Sequence, residues 1–273
     1  MTSPAAAFRA LHTSGCFVMP NAWDVGSAIL LHRLGFRAIA STSAGLAFSR
    51  GLPDSMTALS RDVVLAHLRE LVAATPLPVN ADYQSGYAKD AAGVAESVAL
   101  CMETGVAGLS IEDASGDTSA PLYALDVALD RLRAARRAID HASRDALLTA
   151  RCEAYLVGDP DPAKTSIDRL VAYADAGADC LFAPGVRDVA TIGAMVKAVA
   201  PRPLNVIVTA PSPELTVARL ADLGVRRISA GSALARAAWG AFLRAATEIA
   251  QAGTFDALAS AATFAELNTA FGR

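Results

Sequence analysis

The chain has 273 residues, with 24 Lys and Arg against 27 Asp and Glu for a net charge of −3, and 53% of its residues are hydrophobic. A chain of this size buries roughly 75% of its unfolded surface and needs no disulfide or structural metal to hold a core, and its balanced charge excludes the clustered basic footprint of a nucleic-acid binder. Apolar runs such as Ala38 to Ala40 and Val206 to Val208 fall far short of the ~20 residues that span a bilayer, and no basic region with an apolar stretch and cleavage site opens the chain, so a cytoplasmic protein without membrane or nucleic-acid partners is expected.

Short β-branched runs, each followed by a longer amphipathic segment, recur along the whole chain. Strands are predicted at Phe17 to Pro20, Ala38 to Ser41, Pro78 to Asp82, Gly108 to Glu112, Leu147 to Arg151, Cys180 to Ala183, Leu204 to Val208 and Arg227 to Ala230. Between them, helices are predicted at Val25 to Leu34, Asp62 to Ala73, Gly93 to Glu103, Leu125 to His141, Ser166 to Asp175, Val189 to Val199 and Pro213 to Leu223. Gly35, Gly105, Gly177 and Gly224 each stand where a helix stops and an apolar strand begins two or three residues later, the pattern of a helix C-cap turning into a buried parallel strand. Eight such units in about 230 residues point to a (β/α)8 barrel of the TIM type. The open doubly wound sheet is the alternative, but its Gly-rich phosphate turn is missing after the first strand, which ends in Pro20-Asn21-Ala22-Trp23-Asp24.

Residues 1–231 are assigned to the barrel and 232–273 to extra C-terminal helices, one over Ser232 to Gln251 and another over Phe255 to Phe271. The first is more apolar than an outer barrel helix requires, so it is expected to pack on the barrel or on a partner subunit, in a homodimer or homotetramer. Cys16, Cys101, Cys152 and Cys180 are scattered without a Cys-x-x-Cys pair and read as small buried hydrophobes. His12, His32, His67 and His141 fall in helical segments and read as surface or helix-end residues.

Reactive residues of such a barrel stand at the C-terminal ends of its strands. There the sequence places Ser41-Thr42-Ser43-Ala44-Gly45 leading to Pro53-Asp54, Asn80-Ala81-Asp82-Tyr83-Gln84, Ser110-Ile111-Glu112-Asp113 and Thr149-Ala150-Arg151-Cys152-Glu153. Because side chains alternate across a strand, Asp82, Glu112 and Glu153 are expected to converge with Arg151 in the barrel mouth. Several carboxylates in one enclosed mouth repel unless a cation sits among them. An oxygen-only ligand set selects a hard ion, Mg²⁺ or Mn²⁺, and Arg151 offers a planar fork for a carboxylate or phosphonate. The bland alternative is a salt-bridged barrel top without chemistry.

These segments, with Gly51-Leu52-Pro53-Asp54, Ser85-Gly86-Tyr87 and Phe182-Ala183-Pro184-Gly185, resemble the isocitrate lyase and phosphoenolpyruvate mutase superfamily, in its order, from about residue 16 to residue 232. The resemblance implies a Mg²⁺-dependent enzyme acting on small 2-oxo acids through an enolpyruvate-like intermediate. It implies Asp82 as direct metal ligand, Asp54 and Glu112 as acids holding the metal's waters, Arg151 as substrate clamp, and Thr42, Ser43 and Ala44 as the segment that holds the oxo-acid carboxylate. It also implies a last barrel helix exchanged between subunits.

Two departures from the family pattern stand out. Gln84 replaces a second acid after the metal ligand, keeping a contact for a metal water but no charge. The loop after the fourth strand reads Asp113-Ala114-Ser115-Gly116-Asp117-Thr118-Ser119-Ala120-Pro121-Leu122, without the Lys-Lys-Cys-Gly-His signature of the lyases or the lysine of the mutases. This places the chain with members of the oxaloacetate decarboxylase or carboxyphosphonoenolpyruvate phosphonomutase kind. Isocitrate-type cleavage needs a loop-borne acid and phosphoryl migration a loop cation, whereas loss of CO₂ from a 2-oxo dicarboxylate needs no protein base. Oxaloacetate-type decarboxylation by a lyase is therefore the leading expectation. A carbon–phosphorus mutase or hydrolase acting on phosphonopyruvate-like substrates and a 2-oxo acid binding protein of weak turnover are the alternatives. The segment Gly116 to Leu122 is expected to be a mobile lid, with Asp117 a solvated loop charge. Whether Glu153, Lys89 or Asn205 reaches the ligand stays open, and Arg187 reads as a surface salt bridge or a contact to a distal carboxylate.

Overall fold

The computed structural model describes residues 2–143 and 145–272. Its strands are β1 (Phe17–Met19), β2 (Asn21–Ala22), β3 (Ile39–Ser41), β4 (Val79–Asp82), β5 (Gly108–Glu112), β6 (Leu147–Arg151), β7 (Cys180–Phe182), β8 (Leu204–Ile207) and β9 (Arg227–Ser229). All pair in parallel, in the order β1-β9-β8-β7-β6-β5-β4-β3-β2. Only Pro20 separates β1 from β2, so the two are halves of one stave and the ring is a (β/α)8 barrel. Pro20 has no N–H to continue a ladder, and its carbonyl still accepts from the Ala40 N–H at 2.9 Å. β1 therefore pairs with β9 and β2 with β3.

The helices are α1 (Pro4–Leu11), α2 (Val25–Arg33), α3 (Ser43–Ser49), α4 (Arg61–Ala74), α5 (Ala91–Met102), α6 (Leu125–Ala142), α7 (Pro162–Asp175), α8 (Val189–Val199), α9 (Val217–Asp222), α10 (Ala233–Ala252) and α11 (Phe264–Phe271). The four glycines read as helix stops all adopt positive φ, from +83° at Gly35 to +101° at Gly177, a conformation that costs other residues a Cβ clash. α9 starts later than its apolar pattern suggested because the Thr216 hydroxyl caps the N–H of Arg219 at 3.3 Å.

α1, the helical segment ending at His12 for which the sequence reading gave no range, closes the bottom of the barrel. Phe8 is fully buried, and Arg9 donates to the carbonyls of Asp145 and Ala146 and to the Asp179 carboxylate at 3.0–3.2 Å. Three cysteines are buried as expected, with Cys16 half-buried. His32 and His141 are exposed, but His12 and His67 are buried, which corrects the surface reading for those two: His12 faces the core from the end of α1 and His67 lies on the inner face of α4.

The C-terminal segment differs in part from its expectation. α10 is one long helix with only Ala235 buried, exposing Trp239, Phe242, Leu243 and Ile249. The second helix is interrupted instead of running from Phe255 to Phe271. Gly253 ends α10 in the left-handed region, Glu248 collects the Thr254 hydroxyl and the N–H groups of Asp256 and Ala257, and Thr263 with Glu266 forms a new capping box. α11 then lies against α2 of the same chain, where the Phe271 ring passes 3.6 Å from the position a Cβ on Gly26 would take. Among the described residues no helix is long and apolar enough to cross a membrane.

Candidate active site

Alternation along β4, β5 and β6 sends Asp82, Glu112 and Arg151 to the same end of the barrel, in a register that pairs Asp82 with Ser110 and Glu112 with Arg151. The Arg151 guanidinium sits among three carboxylates. Its Nη1 lies 3.2 Å from Glu112 and 3.5 Å from Asp82, and its Nε donates to Glu153. The Phe182 ring flanks it, 5.5 Å from Cζ to the ring centre. Burial would lower the Arg151 pKa, and Glu112, Glu153 and Asp82 more than reverse that, so it stays charged at any physiological pH.

One cation cannot neutralise this many acids. Burial, with Glu153, Asp82 and Asp113 adding to it against the pull of Arg151, pushes the Glu112 carboxyl up to about 8. Glu153 is raised for the same first reason, burial. At the rim, Asp54 is raised by partial desolvation and then by the Asp82 charge, so it shares the field of the mouth from an exposed loop position.

Asp82 is held from the β3 side. The Ser43 N–H and hydroxyl both donate to its Oδ2 at 2.8 Å, and its own N–H donates to the Ser41 hydroxyl at 2.9 Å. Thr42 caps α3 by accepting from the Gly45 N–H at 3.2 Å, and Ala44 follows it in the first turn of that helix. The Thr42 and Ser43 hydroxyls are thus engaged in holding the loop and Asp82. Gln84 takes φ +45° and reaches the Ser55 carbonyl with Nε2 at 3.4 Å, tying the Asp54 loop to the end of β4.

A buried frame that the sequence reading missed fixes these loops. Asp113 accepts from the Tyr173 hydroxyl at 2.6 Å, from Arg169 at 3.1 Å and from the Glu153 N–H at 2.8 Å. Arg131, on the apolar stripe of α6, donates to the carbonyls of Ser85, Ala88 and Lys89 at 2.6–3.0 Å and lies 4.4 Å from the centre of the Tyr123 ring. A charged residue in phase with Ala128, Leu132 and Ala135 was the available signal. Lys89 itself is exposed, as is Arg187, which lines an outer groove with Lys197 and Arg219. Asn205 faces the barrel interior, where it bonds Arg227 and Ser229.

The loop from Asp113 to Tyr123 is a small hairpin. Ser115 N–H donates to the Pro121 carbonyl and Tyr123 N–H to the Asp113 carbonyl, both at 2.9 Å, and Ala114 bridges Leu122. Asp117, exposed at its tip, accepts from the Ser119 hydroxyl at 2.7 Å and N–H at 2.8 Å, which lowers its pKa.

The donor set suits a hard divalent ion held largely through water. Among the described residues no three His, Cys, Asp or Glu side chains converge closely enough to enclose an ion, whereas Mg²⁺ is commonly held by one or two carboxylates with several waters retained. Asp82 Oδ1, whose contact to Arg151 is a long 3.5 Å, would be the oxygen for direct contact with such an ion, and Glu112 on Arg151, Asp54 in the field of Asp82 and Gln84 at the end of β4 are the groups that could hold its waters.

A parallel (β/α)8 barrel with an acid-ringed arginine at its C-terminal mouth defines an α/β-barrel enzyme class, and comparison with known proteins gives the family. The phosphoenolpyruvate phosphomutase family model matches residues 8–250, and the chain belongs to that family, within the phosphoenolpyruvate mutase and isocitrate lyase superfamily. It is 33% identical over 239 residues to oxaloacetate decarboxylase of Chromohalobacter salexigens, covering 83% of this chain and 78% of that one. To 2-methylisocitrate lyase of Salmonella typhimurium it is 32% identical over 194 residues, 68% of this chain and 64% of that one. Among solved structures, a Burkholderia cenocepacia J2315 protein described as a lyase/mutase superposes with a TM-score of 0.94 at 48% identity, covering 98% of this chain and 95% of that one. A phosphonopyruvate hydrolase in complex with oxalate and Mg²⁺ gives 0.87 at 27% identity, covering 98% and 95%. The superfamily is one of lyases and mutases.

Proposed function

We propose that the protein is a Mg²⁺-dependent lyase acting on a small 2-oxo acid, with oxaloacetate-type decarboxylation as its reaction. The observation that carries this reading is the hairpin after β5: between Ala114 and Leu122 its one ionisable side chain, Asp117, is exposed and engaged by Ser119 within the loop. A reaction that needs a loop-borne acid or a loop cation has no group there to use. Loss of CO₂ from a β-carboxylate needs neither: the electron pair of the broken C–C bond passes toward the adjacent oxo group to give an enolate, and the carbon that carried the carboxylate takes its proton from water to give pyruvate.

When bound, the divalent ion supplies the charge that polarises the substrate's oxo group. Asp82 is the residue to hold that ion directly, with Asp54, Glu112 and Gln84 around its waters. Ser43 fixes the Asp82 carboxylate through two hydrogen bonds, and Arg151 offers its fork to a substrate carboxylate. Glu112 is raised by burial first and then by Glu153, Asp82 and Asp113, and a cation held among these acids would favour its charged form. Oxaloacetate decarboxylase activity in a relative of 33% identity supports the same reading.

The apolar surface of α10, with Trp239 against Phe242 at 5.7 Å between ring centres, supports a homodimer or homotetramer in which a second copy covers it. The discriminating assay supplies Mg²⁺ with oxaloacetate or phosphonopyruvate and follows pyruvate and phosphate separately. Pyruvate release from oxaloacetate above the metal-only rate is expected; phosphate release from phosphonopyruvate alone would transfer the assignment to carbon–phosphorus chemistry.

A further inference from the structure

Beneath the acid-ringed mouth lies a second polar layer that the proposed reaction does not use. Arg227 of β9 is 1% exposed and crosses the barrel interior, donating to Asn205 Oδ1 at 2.9 Å, to the Thr149 hydroxyl at 3.0 Å and toward His12 Nε2 at 3.4 Å. His12 Nδ1 faces the Phe8 carbonyl at 2.8 Å and so carries the proton, leaving Nε2 as a neutral acceptor. All three partners of Arg227 are therefore uncharged, and among the described residues no carboxylate pairs with it. A buried guanidinium without a counter-charge is costly.

Above Arg227 is a cavity of about 50 Å³, walled by Asn80, Ser110 and Ser229 and roofed by Asp82 and Arg151. Asn80 is 3% exposed and lines this cavity, its Nδ2 donating to the Ala81 carbonyl at 3.3 Å. Space for that side chain exists because residue 108 is glycine: a Cβ there would stand 3.2 Å from Asn80 Oδ1 and 2.7 Å from the Leu147 carbonyl oxygen. A chamber with the buried Arg227 guanidinium and the Ser229 hydroxyl in its wall, and room for a few atoms, matches one kind of guest.

We propose that this chamber binds one small monoanion of carboxylate size, with Arg227 as its counter-charge. The guanidinium has five N–H groups and three go to Asn205, Thr149 and His12, which leaves two for the anion. The Ser229 hydroxyl accepts from Asn205 Nδ2 at 3.0 Å and keeps its own O–H to donate, whereas Ser110 and Asn80 already donate to the Ala81 carbonyl. The carboxylate comes either from a free small acid or from the far end of a bound dicarboxylate.

The test is calorimetric titration of the metal-free protein with sodium formate at constant ionic strength, with gluconate, too large for the chamber, as the balancing anion. Saturable formate binding is expected in the wild type, with a loss of at least tenfold in affinity in both Arg227→Met and Ala40→Val. The second variant narrows the same cavity without touching the arginine, so it serves if Arg227→Met does not fold. Absence of saturable formate binding in the wild type, or binding that survives a folded variant of either kind, would overturn the proposal. Where formate binds as expected, displacement by succinate assigns the carboxylate to the distal end of a dicarboxylate, and independent binding assigns it to a free acid. Because no turnover is measured, the outcome is separate from the decarboxylase reading.

Discussion

Ser43 gives two hydrogen bonds to a single oxygen of Asp82, from its N–H and its hydroxyl, each 2.8 Å long. This leaves the second carboxylate oxygen oriented into the mouth, and partners that orient a metal ligand commonly contribute 10–100-fold in metal affinity. Ser43→Ala keeps the N–H bond and removes the hydroxyl, so the Mg²⁺ concentration for half-maximal activity should rise by about tenfold with little change in thermal stability. A metal titration of both proteins checks this, and an unchanged midpoint would remove Ser43 from the metal's support.

Arg151 meets three carboxylates and a ring face at once. Lysine has neither the fork nor the plane, so Arg151→Lys should lower kcat/KM by about 10²-fold, roughly 2.7 kcal/mol of transition-state stabilisation. An equal value for every active substrate would place the carboxylate contact elsewhere.

Asp117 serves its own hairpin by accepting from Ser119. Asparagine retains an acceptor oxygen, so Asp117→Asn should change kcat by less than about tenfold, or roughly 1.4 kcal/mol. Shortening the hairpin between Gly116 and Ala120 should reduce turnover far more, by opening the mouth to water. Steady-state kinetics on the two variants decide between a cover and a proton carrier.

Acid should destabilise the protein through its buried histidines. Burial and then the Arg50 charge, with Asp24 opposing, bring His67 down to about 4 from 6.5, and burial followed by Arg227 brings His12 down to about 3. Protonation is easier in the unfolded chain, so the stabilisation is complete above pH 6.5 and is lost as pH falls toward the folded values. For His67 the loss is on the order of 3 kcal/mol. His67→Leu should flatten the decline in Tm between pH 6.5 and 4, and a parallel decline in both proteins would contradict the assignment.

The staves and their polar ends were legible in the sequence because both follow short periods. Two-residue alternation identifies Asp82, Glu112 and Arg151 as neighbours in space, and positive-φ glycines such as Gly35 mark where helices stop. The short helices α1 and α3 carry too few turns to display a period, and α3 was read instead as the motif around Ser43. Arg131 and Arg227 were overlooked for a different reason. Arginine is rarely buried, and only the folded chain reveals that one grips the loop carbonyls of Ser85 to Lys89 and the other spans the barrel interior. The break at Gly253 agrees with the expected division, whereas the interruption before Phe264 was hidden by an apolar pattern that runs on from Phe255.

The most direct test is Mg²⁺-dependent pyruvate release from oxaloacetate by wild type and Asp82→Ala, each corrected for the metal-only rate and paired with a circular dichroism spectrum. The account predicts turnover by the wild type that chelator abolishes, and loss of at least 10³-fold in a folded Asp82→Ala protein, about 4 kcal/mol of barrier. Undiminished turnover in Asp82→Ala, or in excess chelator, would contradict it.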